Sequence, residues 1–231
     1  MKAIIFDLDG TLIDSARSIL VSLQRAFESC GLVPMLPLEA SLIGPPLREI
    51  LQRLSPESDS AQIESLAQSF IDSYDEQGCL EVHPFPRIDE MLHDLNQHGF
   101  ALHIVTNKRA YPTLKILTDL GWNELFGRVY ATDTFVEERY GKPRLLGRLI
   151  NDLNLQSNDC VYIGDHENDA IAAHENEMQF LWAGWGVGFV SSEIRETLEE
   201  NCIRLENPIA IIAFIRHSIP SAVVNKNRTR F

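Results

Sequence analysis

Short apolar segments alternate with helical patterns from residue 88 onward, and this alternation restricts the possible folds more than any other feature. It predicts strands at 100–105, 128–131, 160–163 and 179–182, and helices at 88–99, 111–120, 144–153 and 169–176. Strands that alternate with helices in this way form parallel sheets that are covered on both faces. The sequence therefore predicts an α/β fold with a parallel sheet between two layers of helices.

The apolar run near the N-terminus ends in two carboxylates. Residues 4–6 are typical of a buried strand, and Asp7, Asp9 and Gly10 follow closely. Aspartate is depleted in strands, and side chains at i and i+2 of an extended chain point to the same side. Asp7 and Asp9 are therefore expected to converge, and they repel each other unless a cation or a shared proton intervenes. Mg²⁺ is the expected cation, and the alternative is a strand that ends in an Asp-Gly turn.

A second predicted strand ends in the same way. Gly164 and Asp165 follow the strand at 160–163, and Asp169 comes about one helical turn later. The alternative role for Asp165 is to cap a helix with a solvated acidic first turn. A parallel sheet places the ends of both strands at one edge, where ligands of such sheets bind. This placement favours a Mg²⁺ site built from carboxylates and water.

Two further polar segments are expected at the same edge. Thr106 and Asn107 follow the strand at 100–105 and can donate hydrogen bonds to a phosphate oxygen, although either residue can instead cap the next helix. Lys142 stands just before a proline at a predicted helix start. A lysine there can neutralise both a carboxylate and a bound phosphate, whereas an isolated lysine usually faces solvent.

Residues 15–82 differ from the rest of the chain, because their patterns are helical and contain no obvious strand. A helix is expected after Asp14 or Ser15, and others at 47–54 and 60–74. The proline-rich segment 83–86 is a stiff break that suits a domain boundary. We therefore predict a core of residues 1–14 and 83–217, an inserted helical domain of residues 15–82, and a basic tail of residues 218–231.

Composition restricts the partners. The 231 residues include 20 Lys and Arg against 33 Asp and Glu, which gives a formal net charge of −13. Such a charge repels nucleic acids and anionic membranes, and no apolar run approaches the roughly 20 residues of a membrane span. The four cysteines have no metal-binding spacing, and no apolar leader is evident. We expect a small-molecule ligand, no nucleic-acid or membrane partner, a cytoplasmic location, and a monomer or a homodimer.

Four motifs resemble those of the haloacid dehalogenase superfamily. They are DLDGTLID at 7–14, IVTN at 104–107, GKP at 141–143 and GDHEND at 164–169, in the order found in the superfamily. The helical block resembles the inserted C1-type cap of the phosphoglycolate-phosphatase-like branch, as do the segments 42–49 and 184–188. The resemblance implies a Rossmann-like core with a helical cap, and a Mg²⁺-dependent phosphatase acting on a small phosphate monoester. Phosphoglycolate is the substrate that the branch suggests.

The resemblance also implies a role for each acidic residue of the motifs. Asp7 is expected to be the nucleophile that forms an aspartyl-phosphate, and Asp9 the general acid and base. Mg²⁺ would be held by Asp7, by the backbone carbonyl of Asp9 and by Asp165. Asp169 is expected to support the metal from the second layer or through a water molecule.

The remaining roles concern the phosphate and the substrate. Thr106, Asn107 and Lys142 would bind the transferring phosphoryl group and stabilise its charge. Arg48, within the cap segment, is expected to contact a substrate anion, with a solvated helix arginine as the equal alternative.

Departures from sister branches narrow the chemistry. Dehalogenases of the superfamily lack the acid that Asp9 supplies, and no lysine stands between Lys2 and Lys108 to serve as the Schiff base of a phosphonate hydrolase. Ile19 stands where the mutases usually carry a cap histidine, which favours a hydrolase. A sugar-phosphate mutase and a catalytically silent binding protein on the same fold remain the alternatives.

Overall fold

The computed structural model of the protein describes residues 2–135, 141–188 and 202–218. The strands are β1 (Ala3–Phe6), β2 (Ile13–Asp14), β3 (His83–Pro84), β4 (Ala101–Val105), β5 (Phe126–Tyr130), β6 (Cys160–Gly164), β7 (Gln179–Ala183) and β8 (Cys202–Leu205). The helices are α1 (Ala16–Ser29), α2 (Leu47–Leu54), α3 (Ser60–Glu76), α4 (Ile88–Gln97), α5 (Ala110–Asp119), α6 (Lys142–Asp152), α7 (Glu167–Glu175) and α8 (Ile209–Ser218).

Six of the strands form one parallel sheet in the order β5-β4-β1-β6-β7-β8. Successive residues of β1 face opposite layers, as the pleat of a strand requires. Ile4 and Phe6 belong to the apolar cluster that includes residues of α4, α5 and α8, whereas Ala3 and Ile5 belong to the cluster formed with α6 and α7. The predicted three-layer α/β fold with a parallel sheet is therefore confirmed.

The strands and helices predicted between residues 88 and 182 are present, with ends that differ by a few residues. The predicted strand at 128–131 begins earlier, at Phe126, and ends at Tyr130. Strand β8 and helix α8 were not predicted, although both lie within or next to the range assigned to the core. Most of the predicted basic tail, from residue 219 onward, lies outside the described residues.

Residues 15–82 contribute no strand, and helices α1, α2 and α3 pack together there as expected. The predicted apolar stripe of α3 is buried and comprises Ile63, Leu66, Phe70 and Tyr74. A short antiparallel pairing of β2 with β3 was not predicted, and it joins the two connections between this block and the sheet. That residues 15–82 behave as a separate domain remains a prediction.

Two smaller findings concern the expected environment of the chain. None of the described helices combines the length and the apolar character that crossing a membrane requires. The four cysteines are free; Cys79 and Cys160 are buried, whereas Cys30 and Cys202 are half-buried.

Candidate active site

The predicted polar residues meet at the carboxyl edge of the sheet. Strand β1 lies between β4 and β6, with Phe6 opposite both Ile104 and Ile163. Asp7 follows Phe6 directly, and its backbone N–H donates to Ile163 O at 2.8 Å. The chain leads from β1 to β4 on one side and from β6 to β7 on the other, and such a switch point between neighbouring strands opens a crevice for ligands.

The loop after β1 approaches Asp165 more closely than an ordinary residue permits. Gly10 has φ +77°, and its N–H donates to Ile13 O at 2.9 Å. A Cβ at Gly10 would lie 2.1 Å from Asp165 Oδ2. The Asp-Gly sequence is therefore more than a turn, because only glycine lets this loop pack against the second acidic motif.

Asp7, Asp165 and Asp169 form a buried acidic cluster. One carboxylate oxygen of each lies within 4.8 Å of the other two. Asp7 Oδ1 is buried and has no hydrogen-bond partner among the described residues. Asp165 Oδ2 accepts a hydrogen bond from Gly188 N–H at 2.7 Å. Three converging buried carboxylates fit a hard divalent cation such as Mg²⁺.

Lys142 faces this cluster and not solvent. Its Nζ lies 2.6 Å from Asp169 Oδ1 and 3.1 Å from Asp7 Oδ2, and its side chain is 1% exposed. Burial acts against the charged ammonium, but Asp169 and Asp7 outweigh it and raise the pKa of Lys142. The solvent-facing alternative is wrong for this lysine.

Burial also raises the pKa values of two of the acids. The pKa of Asp7 rises to about 7, with burial as the main cause and Lys142 opposing it. Burial, followed by the nearby charge of Asp169, raises the pKa of Asp165 well above its ordinary value. One lysine therefore does not compensate three buried carboxylates, and a cation in the cluster would relieve the remaining repulsion.

Asp169 belongs to the start of helix α7 as well as to the cluster. Its Oδ2 accepts from the backbone N–H of His166 at 3.0 Å, and its Oδ1 accepts from the Tyr162 hydroxyl at 3.0 Å. His166 is the N-terminal cap, with Nδ1 accepting from Asn168 N–H at 3.2 Å. The alternative in which Asp165 caps this helix is therefore wrong.

Asp9 stands apart from the acidic cluster. Its carboxylate accepts two hydrogen bonds from Lys108 Nζ, at 2.8 and 2.9 Å, and one from Ser15 Oγ at 2.5 Å. Lys108 is nearly fully buried and also lies over the ring of Tyr74, 4.6 Å from its centroid. This role of Lys108 was not predicted, and its only signal in the sequence is its position directly after Asn107 at a strand end. Two separate lysines, Lys142 beside Asp7 and Lys108 beside Asp9, thus offset part of the repulsion expected between the two carboxylates.

Thr106 and Asn107 lie at the end of β4 but do not cap the next helix. Helix α5 has Arg109 as its N-terminal flanking residue, and its first N–H, that of Ala110, donates to Asp133 Oδ1 at 2.6 Å. Thr106 Oγ1 accepts from Lys108 N–H at 3.2 Å. Asn107 Nδ2 donates to Gly44 O at 2.7 Å, and its Oδ1 is buried without a partner among the residues described. The helix-cap alternative is wrong for both residues.

Gly44 brings the loop before α2 against the acidic motif at 164–169. It has φ +133°, and a Cβ there would lie 2.5 Å from Cδ2 of His166. With Asn107 holding its carbonyl on another side, Gly44 is enclosed by two loops of the core. The contact of His166 with this loop was not predicted, because residues 44 and 166 are far apart in the sequence.

The glycine series at 184–188 also belongs to the site. A Cβ at Gly186 would lie 2.4 Å from the Cβ of Asp165, and Gly188 donates to the Asp165 carboxylate as described above. Trp185 Nε1 donates to Thr11 O at 2.9 Å, which ties this segment to the loop after β1. The series therefore encloses Asp165.

A small cavity lies between this edge of the sheet and helices α1 to α3. About 80 Å³ is open to solvent-sized molecules, several times the ~10–15 Å³ that one water needs. The sheet side carries polar groups, whereas the helical side is mostly apolar. The lining residues are Asp7, Asp9, Ile19, Leu23, Ile43, Gly44, Pro45, Leu47, Ile50, Phe70, Tyr74, Thr106, Asn107, Lys108, Arg109, Pro112 and Lys142.

Arg48 does not line this cavity. Its guanidinium pairs with Glu64 across the surface of α2 and α3, with Nη2 2.7 Å from the carboxylate. It borders a neighbouring cavity that Asn107 and Arg109 also line. Contact of Arg48 with a substrate therefore stays a prediction.

These features define a class of protein. It has a Rossmann-like core, and the central strand is followed by an aspartate that belongs to a buried acidic cluster and lies beside a buried lysine. The chain belongs to the haloacid dehalogenase-like hydrolases, since the model of that family matches residues 4–183.

Individual relatives agree with this assignment. Phosphoglycolate phosphatase of Xanthomonas campestris pv. campestris (strain 8004) is 32% identical over 189 residues, which cover 80% of this chain and 84% of the relative. The enzyme of the same name from Aquifex aeolicus is 29% identical over 195 residues, with 84% and 90% covered. A haloacid dehalogenase-like hydrolase of Streptococcus pneumoniae superimposes with a TM-score of 0.79 at 25% identity, covering 93% of this chain and 98% of that one.

Proposed function

We propose that the protein is a Mg²⁺-dependent phosphatase that hydrolyses a small phosphate monoester through an aspartyl-phosphate on Asp7. The observation that carries this proposal is the state of the Asp7 carboxylate. One oxygen is buried and unpaired within the described structure, and the other lies 3.1 Å from Lys142. An oriented carboxylate with one oxygen free, at the floor of a small cavity, suits nucleophilic attack on phosphorus.

The neighbouring residues suit binding and stabilisation of the phosphoryl group. Thr106, Asn107 and Lys142 line the cavity together with Asp7, and they would supply donors and positive charge. Asp7, Asp165 and the backbone carbonyl of Asp9 would hold Mg²⁺, with Asp169 supporting it. When bound, the ion supplies positive charge beside the phosphate oxygens.

Asp9 is proposed to move the protons. It would donate a proton to the ester oxygen as the bond between that oxygen and phosphorus breaks, while the Asp7 carboxylate forms a new bond to phosphorus. The resulting Asp9 carboxylate would then take a proton from water as the water attacks the aspartyl-phosphate. This second step releases phosphate, restores the Asp7 carboxylate and returns the proton to Asp9.

The size and the lining of the cavity support a small ester and a hydrolase. Relatives named phosphoglycolate phosphatase support phosphoglycolate as the first substrate to test. Ile19 lines the cavity, so an apolar side chain stands where the related mutases carry a histidine, and this favours hydrolysis over intramolecular transfer. We also propose that residues 15–82 form a cap domain, since they provide the apolar wall. A cytoplasmic location, the absence of a nucleic-acid partner, and a monomer or homodimer stay predictions.

Replacement of Asp7 with Asn tests the proposal. Purified Asp7→Asn protein, assayed with p-nitrophenyl phosphate and Mg²⁺, is expected to lose more than about 10³-fold in kcat. Asp14→Asn is the matched control, because Asp14 is exposed and its carboxylate only accepts from Ala16 N–H among the described residues. Activity that survives in the Asp7 variant would remove the nucleophile assignment. Phosphate transfer between sugar hydroxyls without its release would instead support a mutase.

A further inference from the structure

The hydroxyl of Tyr74 is a buried polar group that the proposed chemistry does not use. Tyr74 lies on α3, lines the cavity and is 1% exposed. Its hydroxyl makes no hydrogen bond of normal geometry within the part of the chain that the structure describes, and its charged neighbour is the Lys108 ammonium, which only opposes the rise in its pKa. Buried hydroxyl groups almost always have a partner, because an unpaired one loses its bonds to water without compensation. A group that enters this cavity is therefore the natural partner.

The ring of Tyr74 is held by two neighbouring side chains. Phe70 stacks on it with the ring centroids 5.4 Å apart and the planes 9° from parallel. Lys108 Nζ lies 4.6 Å from the ring centroid. Because these contacts fix the ring, the position of the hydroxyl is also fixed before a ligand binds. Burial raises the pKa of Tyr74 to about 12, so the phenol keeps its proton and can donate.

Tyr74 is also the only polar side chain that the described part of residues 15–82 contributes to the cavity wall. The other side chains from this block are apolar, among them Ile19, Leu23, Ile50 and Phe70. Two cations on the sheet side already have carboxylate partners, Lys108 with Asp9 and Arg109 with Asp75. A leaving group that extends from the phosphate toward α3 therefore meets apolar surface and one unpaired hydroxyl.

We propose that Tyr74 selects the substrate by donating a hydrogen bond from its hydroxyl to an oxygen on the leaving group. The substrate class is then a phosphate monoester of a short alcohol that carries a second oxygen as a hydrogen-bond acceptor, such as a carboxylate. The carbon atoms between the two ends lie against Ile19, Leu23 and Phe70. This inference rests on the proposed phosphatase function and adds the chemistry of the leaving group to it.

Three esters of similar size separate the contributions of the leaving group. Phosphoglycolate carries a carboxylate, 2-hydroxyethyl phosphate carries a hydroxyl, and isobutyl phosphate is the apolar isostere of phosphoglycolate. With Mg²⁺ present, the wild-type protein is expected to favour phosphoglycolate over isobutyl phosphate by at least about tenfold in kcat/KM. In Tyr74→Phe this ratio is expected to fall by about 10- to 100-fold, since the hydroxyl alone is removed.

Tyr111→Phe is the matched control, because Tyr111 is exposed on α5 and does not line this cavity. Its ratio should equal that of the wild type. If the ratio of kcat/KM for phosphoglycolate to that for isobutyl phosphate is unchanged in Tyr74→Phe, even with an equal loss on both esters, the inference is overturned. If the wild-type protein prefers isobutyl phosphate, the inference is overturned without any variant. The wild-type measurement therefore tests the inference even if the Tyr74→Phe protein does not fold. If the protein hydrolyses p-nitrophenyl phosphate but none of the three esters, only the inference about Tyr74 is overturned. If it hydrolyses none of the four compounds, the proposed phosphatase function is overturned as well.

Discussion

Lys108 and Asp9 are 99 residues apart in the chain, yet Lys108 Nζ donates to both carboxylate oxygens of Asp9, at 2.8 and 2.9 Å. The ion pair is almost fully buried, and Ser15 supplies the only other hydrogen bond to the Asp9 carboxylate within the described residues. Burial acts against the charged lysine, but the Asp9 carboxylate outweighs it and raises the pKa of Lys108. Lys108 therefore positions the proposed acid and base, and its contact with Tyr74 extends to helix α3.

Lys108→Met should impair the step in which Asp9 protonates the leaving oxygen. We expect kcat for an alkyl phosphate to fall about 10- to 100-fold, because Asp9 is then held by Ser15 alone. The loss should be smaller for p-nitrophenyl phosphate, whose leaving group needs little protonation. Lys2→Met is the control, since Lys2 is exposed and pairs with Asp159. Equal losses on the two esters would contradict the positioning role.

Removal of Mg²⁺ should destabilise the protein through its acidic cluster. The pKa of Asp7 is raised to about 7, so the stability cost of ionising this carboxylate grows as the pH rises from about 4 toward 7. Mg²⁺ at about 100 times its dissociation constant should raise Tm by about 5–10 °C. The increase should be larger at pH 8 than at pH 6, because protons then compete less with the metal.

Asp165→Asn tests which residues carry this effect. The variant should lose most of the Mg²⁺-dependent increase in Tm, and in EDTA it should be at least as stable as the wild type, since one buried charge is gone. Thermal unfolding in EDTA and in Mg²⁺ measures both quantities, with Asp14→Asn as the control. A full Mg²⁺ response in Asp165→Asn would exclude Asp165 from the metal site.

The sequence predicted the edge of the sheet better than the contacts across the cavity. Asp7, Thr106 and Asp165 were found because each follows an apolar run, and parallel strands bring such ends together. Lys108 was missed because its partner Asp9 is remote in sequence. Tyr74 fitted the apolar stripe of α3, and helical spacing does not reveal whether a hydroxyl has a partner.

Short or atypical elements escaped for a different reason. Strands β2 and β3 have two residues each, too few for a periodic pattern, and their pairing depends on residues 13 and 84 meeting in the fold. The glycines at 184–188 have no side chain to indicate a role, and their function is to let the backbone approach Asp165.

Gly44→Ala should impair substrate turnover. The added methyl group would lie 2.5 Å from the His166 ring and would strain a backbone with φ +133°, so the loop before α2 could not keep its place. We expect kcat/KM for p-nitrophenyl phosphate to fall about tenfold or more. Gly31→Ala is a matched control, because Gly31 has φ +65° but no atom within 4 Å of its added Cβ. A similar loss of activity in both variants would show that backbone strain alone, and not contact with His166, is responsible.

His103 should make the protein less stable as the pH falls below about 6.5. The imidazole is buried in β4, its Nδ1 has no partner in the described structure, and burial followed by the charge of Arg128 lowers its pKa to about 4. In the unfolded chain His103 has a pKa near 6.5. Between pH 6.5 and 4 the unfolded chain therefore binds a proton at His103 that the folded chain does not bind. Stability must then fall as the pH decreases through this window, by at most about 1.4 kcal/mol per pH unit for one group.

Urea unfolding of His103→Gln at pH 7.5 and pH 5 isolates this contribution. The glutamine side chain cannot be protonated, so the difference in free energy of unfolding between variant and wild type should shift in favour of the variant at pH 5. Asp7 and Asp165 contribute to the pH dependence of stability with the opposite sign, but they are present in both proteins. Their contributions therefore cancel when the two proteins are compared at the same pH. His93→Gln is the control, because His93 is exposed and its Nδ1 bonds only to Asp89 O among the described residues. A constant difference at the two pH values would mean that His103 titrates alike in the folded and unfolded chains, and that its burial does not exclude the proton.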